Sequence, residues 1–259
     1  MAPMRDLAVD AANLRGWHRP GDPVLLANVW DVASAKMIEE LGYSAIATSS
    51  SAIAHGFGQP DADSMPLEIA FGTVERIAAG VNVPVTADLE AGYELAPADL
   101  VARLLAAGAV GCNLEDSDHH GPAVLVDAEE QAKHIAGVRA AAKAAGVDVV
   151  INARVDVYVK HIGEPDVQLS EGIRRGRAYL AAGADCVYPI MIQDEQAIGS
   201  FVDGVAGAVN VNLRAGTPSL EVLRRLGVAR VSLGGGLARI ALNAARQAAE
   251  ALLAGTLFS

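Results

Sequence analysis

The chain has 259 residues, which is enough to bury a sizeable core as one large domain or as two small ones. Hydrophobic residues make up 52% and aromatic residues only 4%, a mixture that favours helices packed closely on a sheet over a β-sandwich. The formal net charge of −11 argues against nucleic acid or an anionic membrane as a general partner.

Cysteine usage indicates a reducing compartment, and the hydropathy pattern indicates no membrane-spanning segment. Cys112 and Cys186 are the two cysteines, and neither belongs to a Cys-x-x-Cys pair or makes a disulfide framework. The first ten residues lack an apolar run with a cleavage site, and no uninterrupted apolar segment reaches about 18 residues. We therefore expect a soluble, cytoplasmic protein without a secretory signal or a membrane partner.

Short apolar segments alternate with helical patterns along the whole chain. A predicted helix over residues 5–17 comes first. The predicted strands cover residues 24–27, 45–48, the start of 84–93, 110–115, 149–154, 185–190, 208–212 and 230–233. The predicted helices between and after them cover residues 32–41, 66–79, 97–107, 127–145, 167–182, 194–203, 218–226 and 237–253.

Eight βα units in a chain of this length predict an α/β fold, the (β/α)8 TIM barrel. The alternative is a doubly wound open sheet, which has the same alternation. No Gly-x-Gly-x-x-Gly follows the first predicted strand, which favours the barrel. Because no composition shift divides the chain, we predict a single (β/α)8 barrel domain over residues 1–259 with an N-terminal helix.

Polar residues collect at the C-terminal ends of the predicted strands, where a barrel carries its chemistry. In chain order they are Ser49, Ser50, Ser51, Asp88, Glu90, Asn113, Glu115, Asn152, Arg154, Asp156, Asn210 and Asn212. Several pairs are two residues apart, so both members lie on one face of an extended strand. Thr86, Asp88 and Glu90 are expected on one side in this way. The opposite strand ends carry far fewer polar residues, which places the predicted site at this end.

Three of these acids indicate a metal. Asp88, Glu90 and Glu115 would bring several negative charges into one barrel mouth, and Arg154 supplies only one positive charge. A hard divalent ion with oxygen ligands compensates such a set, and Mg²⁺ keeps several waters when few carboxylates touch it. The alternative is a solvated acidic rim with no bound metal.

Arg154 follows an apolar strand, a position that indicates an anionic partner. Its fork of donors suits a carboxylate or a phosphate group. The alternative is an internal salt bridge to Glu115 or Asp116, and both interpretations can hold together.

Four short motifs at the ends of strands two to five resemble the isocitrate lyase/phosphoenolpyruvate mutase superfamily over nearly the whole chain. They are Ser49-Ser50-Ser51 with Gly58-Gln59-Pro60-Asp61, Asp88-Leu89-Glu90-Ala91-Gly92-Tyr93, Asn113-Leu114-Glu115-Asp116 and Ala153-Arg154-Val155-Asp156. The resemblance implies a barrel that acts, with Mg²⁺ or Mn²⁺, on small 2-oxo or 2-hydroxy carboxylic acids.

The resemblance also implies roles for single residues. Asp88 would be the direct metal ligand, and Glu90, Glu115 and Asp61 would hold metal-bound waters. Ser49 to Ser51 would donate hydrogen bonds to the substrate carboxylate, and Arg154 would bind a carboxylate or phosphonate oxygen. We place Asn210 and Asn212 with the substrate-binding residues. Members of the superfamily are commonly tetramers, dimers of dimers, in which the last helix swaps between barrels, and residues 237–253 are suited to that part.

The loop after strand four departs from the lyases of this superfamily. Those enzymes carry a Lys-Lys/Arg-Cys-Gly-His run with a catalytic Cys, whereas this chain reads Ser117-Asp118-His119-His120-Gly121-Pro122. Cleavage of isocitrate or 2-methylisocitrate is therefore not expected. A loop histidine, His120 or its neighbour His119, is our candidate for the missing acid or base, since His titrates near neutral pH. The alternative is two exposed loop histidines.

Three functions follow as hypotheses. The first is a Mg²⁺-dependent lyase that breaks a C–C bond next to a carbonyl, by decarboxylation or retro-aldol cleavage through a metal-stabilised enolate. The second is P–C bond chemistry on phosphonopyruvate, by a mutase or a hydrolase. The third is a non-catalytic relative that binds metal and a keto acid.

Overall fold

The structure is a computed structural model that describes residues 5–256. Residues 1–4, which belong to the segment considered above for a secretory signal, and residues 257–259 lie outside the described range. Parallel strand segments form a closed barrel in this range. They are β1 (Val24–Leu26), β2 (Asn28–Val29), β3 (Ile46–Thr48), β4 (Val85–Asp88), β5 (Gly111–Glu115), β6 (Val150–Val155), β7 (Cys186–Pro189), β8 (Asn210–Asn212) and β9 (Arg230–Ser232).

The barrel closes through the first strand, which Ala27 divides into two parts. Within the described residues, β2 to β7 pair in chain order, and β1 pairs with β9, which pairs with β8. A parallel bridge between Val187 and Val209 joins β7 to the residues just before β8. The predicted (β/α)8 barrel is thereby confirmed.

Helices surround the barrel, and each of the eight barrel strands is followed by one. They are α1 (Leu7–Gly16), α2 (Val32–Glu40), α3 (Ser50–Gly56), α4 (Leu67–Ala79), α5 (Pro97–Ala106), α6 (Ala128–Ala144), α7 (Pro165–Ala181), α8 (Glu195–Val205), α9 (Leu220–Arg225) and α10 (Gly236–Leu253). None of the helices described here is long and apolar enough to cross a membrane.

Helix α3 was missed in the sequence, where no helix was predicted between the strand at 45–48 and the helix at 66–79. Ser49 begins it as the N-cap, and its Oγ accepts a hydrogen bond from the Ala52 amide at 3.3 Å. The helix has seven residues and no long apolar stripe, so periodicity gives little signal. Its effect is to turn Ser50 and Ser51 into the mouth of the barrel.

Strand β4, the third of the eight predicted strands, is shorter than predicted. It ends at Asp88, and Glu90 has a left-handed φ of +52°, so the alternation that would put Thr86, Asp88 and Glu90 on one side stops at Asp88. Asp63 approaches Glu90 from the loop before α4 and donates its backbone N–H to the Glu90 carboxylate. This contact holds the turn that the strand pattern could not reveal.

Helix α1 lies across the N-terminal end of the barrel. Leu14 and Ala11 are buried against Val110 and Val150 at the starts of two strands. Arg15 ties the helix down through its Nε, which donates to Asp185 Oδ1 at 2.6 Å. This end is therefore filled by apolar side chains. Cys112 and Cys186 are free thiols, as the sequence predicted, and both are buried.

Helix α10 projects from the barrel with little cover from its own chain. Ala238 is its buried residue, and its exposed apolar side chains include Ile240, Leu242, Leu252 and Leu253. That pattern suits a helix that packs on another copy, and the predicted tetramer with a swapped last helix stays a prediction.

Candidate active site

A small polar cavity opens at the C-terminal end of the barrel strands. Its volume is about 180 Å³. The residues that line it are Asn28, Ser49, Ser50, Ser51, Asp61, Asp88, Asn113, Arg154, Val159, Tyr188, Ile190, Ser232, Gly234 and Gly235. Side chains from strand ends all round the barrel thus converge here, as the polar strand ends predicted.

Asp88 is the carboxylate held most firmly in this cavity. Its Oδ2 accepts hydrogen bonds from the Ser50 amide at 3.1 Å and from the Ser50 hydroxyl at 2.9 Å. Its Oδ1 accepts one from Asn113 Nδ2 at 3.0 Å. Since these donors occupy both lone pairs of Oδ2 and one of Oδ1, the carboxylate is fixed in direction, and the remaining lone pair of Oδ1 can bind a cation.

Arg154 is ion-paired to two buried carboxylates, which take three of its five N–H donors. Its Nη1 lies 2.5 Å from Glu115 Oε2, and its Nε and Nη2 donate to the two oxygens of Asp156 at 2.6 and 2.7 Å. Burial raises the pKa of Glu115 and Arg154 opposes that rise, whereas for Asp156 burial is outweighed and Arg154 holds the pKa below its ordinary value. The ion pair to Glu115 therefore forms, and the charge of the guanidinium is balanced by two protein carboxylates before any substrate anion binds.

Asp116, the neighbour of Glu115, points away from the cavity and holds the stem of the following loop. Its carboxylate receives hydrogen bonds from Tyr179 Oη at 2.6 Å and from Arg175 Nη1 at 3.0 Å. The same Arg175 nitrogen donates to the Val126 carbonyl, and the Val126 amide donates to the Asp116 carbonyl, each at 2.9 Å. The two ends of the loop between Glu115 and α6 are thereby joined.

The two loop histidines contact different acids. His119 Nε2 lies 2.6 Å from Glu115 Oε1, and this contact raises the pKa of His119 above its ordinary value. His120 is more exposed, and its Nε2 lies 3.0 Å from Asp63 Oδ2. The structure therefore places His119 rather than His120 against a predicted site acid, and a catalytic role for His120 stays a prediction.

Glu90 belongs to a second acidic group beside the cavity. Tyr93 donates its hydroxyl to Glu90 Oε1 at 3.1 Å, and Asp63 Oδ1 accepts the amides of Ala91 and Tyr93 at 3.1 and 3.0 Å. Asp63 is only 4% exposed. Burial, more than the neighbouring charges of Asp61 and Glu115, raises the pKa of Glu90 to about 7.

The raised pKa of Glu90 predicts a stability change with pH in metal-free protein. Between about pH 4.5 and 7 the native state keeps the Glu90 proton that the unfolded state has lost, so stability falls as pH rises through this window. Burial of this one group accounts for about 3 kcal/mol at most. Glu90→Gln should flatten the slope, measured as the unfolding free energy in urea with chelator from pH 5 to 7.5. An equal slope in both proteins would contradict the assignment.

The cavity suits a divalent cation that keeps part of its water. Among residues 5–256, no three histidine, cysteine or acidic side chains are arranged to hold one ion directly. Asp88 and Asp61 are the two carboxylates that line the cavity, and partial burial and then the charge of Asp88 raise the pKa of Asp61. Two carboxylates in one polar cavity fit Mg²⁺, which commonly uses one or two carboxylates plus water and substrate oxygens. Glu90 and Glu115 do not line the cavity, consistent with action through water.

The serines and asparagines of the prediction divide into two groups. Ser49, Ser50 and Ser51 all line the cavity, and the Ser49 and Ser51 hydroxyls lie 3.1 Å apart. Asn210 and Asn212 are buried and do not line it. Asn210 Oδ1 accepts from Ser232 Oγ at 3.2 Å. Their predicted part in substrate binding stays a prediction.

Sequence reasoning missed Asp63 and Arg230. Asp63 stands two residues after Asp61, but its left-handed φ of +51° and its contacts to residues 90–93 are not encoded in a local pattern. Arg230 lies at the N-terminal start of β9, a position that strand-end reasoning does not search. The signal available for it was a single charge at the start of an otherwise apolar strand.

Fold and site together define a (β/α)8-barrel protein with an acidic site at the C-terminal ends of its strands. The chain belongs to the phosphoenolpyruvate phosphomutase family, whose sequence profile matches residues 14–253. The resemblance found in the sequence is thereby confirmed. The family contains mutases, lyases and hydrolases that act on oxo acids.

Two curated relatives show the range of the family. An uncharacterised protein of Mycobacterium tuberculosis is 32% identical over 243 residues, 92% of this chain and 88% of the relative. Oxaloacetate decarboxylase 2 of Pseudomonas putida is 27% identical over 217 residues, 80% of this chain and 68% of the relative.

Two solved structures share the fold over most of their length. A proposed phosphonomutase from Burkholderia cenocepacia has a TM-score of 0.88 and 38% identity, covering 93% of this chain and 99% of that one. A phosphonopyruvate hydrolase in complex with oxalate and Mg²⁺ has a TM-score of 0.82 and 26% identity, covering 95% and 88%.

Proposed function

We propose that the protein is a Mg²⁺-dependent lyase that cleaves the C–C bond next to the carbonyl of a small 2-oxo or 2-hydroxy acid. Decarboxylation of an oxaloacetate-like acid is the reaction we favour. The observation that carries the proposal is the pairing of an accessible Asp88 with an Arg154 that is already ion-paired to both Glu115 and Asp156. A site of this kind offers a metal ligand but little further positive charge.

Size and charge limit the substrate. The cavity of about 180 Å³ is smaller than the roughly 300–1,000 Å³ of sites for drug-sized ligands. Arg154 is the cationic residue among its described lining, and it is already neutralised. A phosphonate dianion or a tricarboxylate would meet Asp61 and Asp88 beside a guanidinium whose charge two acids already balance, so a small dicarboxylate is the better match.

The chain's own residues would bind and orient such an acid. Ser49 and Ser51 present hydroxyls to the cavity, and Gly235 lies so close that an added Cβ would meet Ser51 Oγ at 2.9 Å. The Ser49 and Ser51 hydroxyls would donate hydrogen bonds to the substrate carboxylate. Asp88 would hold Mg²⁺, with Asp61, Glu90 and Glu115 positioned for its waters. When bound, Mg²⁺ supplies the positive charge that stabilises an enolate as the bond breaks.

His119 is our candidate for the proton that completes the reaction. Loss of CO₂ leaves an electron pair on C3 of the acid, which must take a proton. Glu115 keeps the His119 imidazole protonated to higher pH than usual, so it is suited to donate. The Tyr93 hydroxyl is committed to Glu90, and burial raises its pKa far above neutral, which makes it a poor donor.

The test is NMR of oxaloacetate, isocitrate, 2-methylisocitrate and phosphonopyruvate, each with Mg²⁺ and with chelator. We expect the parent protein to form pyruvate from oxaloacetate at a higher rate than Asp88→Ala protein in the same buffer. The Asp88→Ala sample measures the decarboxylation that free metal causes without the protein site. Turnover that survives complete chelation would contradict the metal requirement. Phosphate or phosphoenolpyruvate in the ³¹P spectrum would instead establish the second candidate, P–C chemistry, which similarity to a phosphonopyruvate hydrolase favours. Binding of an acid without any turnover would establish the non-catalytic alternative.

His119→Gln is expected to lower turnover about 10²- to 10⁴-fold, the usual contribution of an acid or base. The affinity for Mn²⁺ should change little, because His119 contacts Glu115 and not Asp88. His120→Gln tests the residue that the sequence favoured, and His161→Asn, an exposed position that already has a positive φ, is the control. A larger loss in His120→Gln than in His119→Gln would reverse the assignment.

A further inference from the structure

A directed chain of hydrogen bonds ends on Asp88. Asp88, Asn113 and Asn152 are Cα partners on the neighbouring strands β4, β5 and β6. Asn152 Nδ2 donates to Asn113 Oδ1 at 2.8 Å, and Asn113 Nδ2 donates to Asp88 Oδ1 at 3.0 Å. Every donor in this row therefore points toward the carboxylate.

Arg230 joins this row from the opposite wall of the barrel. β9 stands four places from β5 around the closed eight-stranded barrel, so the side chain must cross the interior. Arg230 is 1% exposed, and its Nη2 donates to Asn113 Oδ1 at 3.2 Å. Its Nε and Nη1 have no hydrogen-bond partner within the described structure.

The chemistry of a guanidinium decides which way the Asn113 amide faces. Arginine has only donors, so the atom of Asn113 that faces Arg230 must be the oxygen. The Asn113 nitrogen is then turned to Asp88. A flipped amide would place its oxygen against the Asp88 carboxylate and its N–H groups against those of Arg230, which is unfavourable at both ends.

Stability alone does not explain an arginine here. A buried charge with unpartnered donors is destabilising, and apolar residues of similar volume are often as stable or more so. Burial lowers the pKa of Arg230, while the negative charge of Asp88 is among the interactions that raise it.

We propose that Arg230 is a positioning residue that fixes the Asn113 amide and thereby holds Asp88 ready for the divalent cation. The inference rests on the proposed function in one respect, the assignment of Asp88 as metal ligand. Arg230 itself lies outside the residues that line the cavity, so it acts through Asn113 and does not touch metal or substrate.

The test is the Mn²⁺ dissociation constant of substrate-free protein, measured by electron paramagnetic resonance. Arg230→Met should weaken binding about 10-fold or more, the range seen when a group that orients a metal ligand is lost. Arg230→Lys keeps a donor-only cation and should recover part of the affinity. Arg139→Met is the control, because Arg139 is a second buried arginine, and its ion pairs are with Asp185 and Asp148, away from the cavity. It should lower the melting temperature and leave Mn²⁺ binding within about 2-fold of the parent protein.

A double-mutant cycle separates a relay from two independent effects. Asn113→Ala alone should weaken Mn²⁺ binding as much as Arg230→Met, and the double variant should be no worse than either. Additive losses, unchanged binding in Arg230→Met and Arg230→Lys, or an equal loss in Arg139→Met would each overturn the inference. Asp88→Ala is measured alongside, and if it binds Mn²⁺ normally, the failure lies with the proposed metal site instead.

Discussion

Asp88→Ala is expected to raise the dissociation constant for Mg²⁺ or Mn²⁺ by at least about 100-fold, because losing a direct ligand exceeds the loss of a supporting group. Asp88 is the carboxylate that Ser50 and Asn113 hold with both oxygens directed by hydrogen bonds. With the metal lost, turnover of the 2-oxo acid should fall about 1,000-fold or more, since the developing negative charge then has no positive counterpart.

Calorimetric titration of the metal and the NMR assay above measure the two effects. Asp203→Ala removes an exposed carboxylate on α8 and should change neither. Circular dichroism checks that the variant keeps its fold. If Asp88→Ala bound metal with the parent's affinity, the site assignment would be wrong whatever the activity showed.

Arg154→Met is expected to lower the free energy of unfolding by about 3–5 kcal/mol near neutral pH, the usual result of removing one partner from a buried ion pair. Both acids on Arg154 are almost fully buried, with side-chain exposures of 3% for Glu115 and 0% for Asp156. Without the guanidinium, two negative charges remain side by side in the barrel mouth.

The deficit should shrink at lower pH. In the variant, Glu115 loses the interaction that opposes its raised pKa, so the native state takes up a proton more readily than the unfolded state. A group with a raised native pKa loses its stabilising contribution as pH rises, so the deficit is largest at pH 8 and smaller at pH 5. Urea unfolding at both values measures it. Arg174→Met, which breaks an exposed pair with Glu171, should cost less than about 1 kcal/mol. A deficit independent of pH would mean that lost packing, and not charge, explains the change.

The barrel and the direction of its site were predictable from the sequence. Apolar segments of strand length alternate with helical patterns, and a parallel barrel brings the C-terminal strand ends together, so Asp88, Asn113 and Arg154 had to meet. Asp156 follows the end of β6, two residues after Arg154, and the two side chains bind each other. The same spacing that indicated a site also neutralised the cation in it.

Other parts of the site depend on contacts between distant segments. The contact of Asp63 with Glu90 requires a left-handed backbone at both residues, and neither is a glycine that would signal it. Arg230 reaches Asn113 across 117 positions of sequence and the width of the barrel. Local periodicity carries no information about such pairs, because they arise only when the barrel closes.

The stem held by Asp116 and Arg175 has a consequence for how this protein could change over evolutionary time. Glu115 faces the site and contacts Arg154, while its neighbour Asp116 faces the helices and contacts Arg175. One residue therefore belongs to the candidate site, and the next one anchors the loop. The anchor joins both ends of the loop that carries His119 and His120 without using any residue of its tip. Substitutions, insertions or deletions in that tip can therefore change the substrate specificity while the barrel and its acidic residues keep their structure.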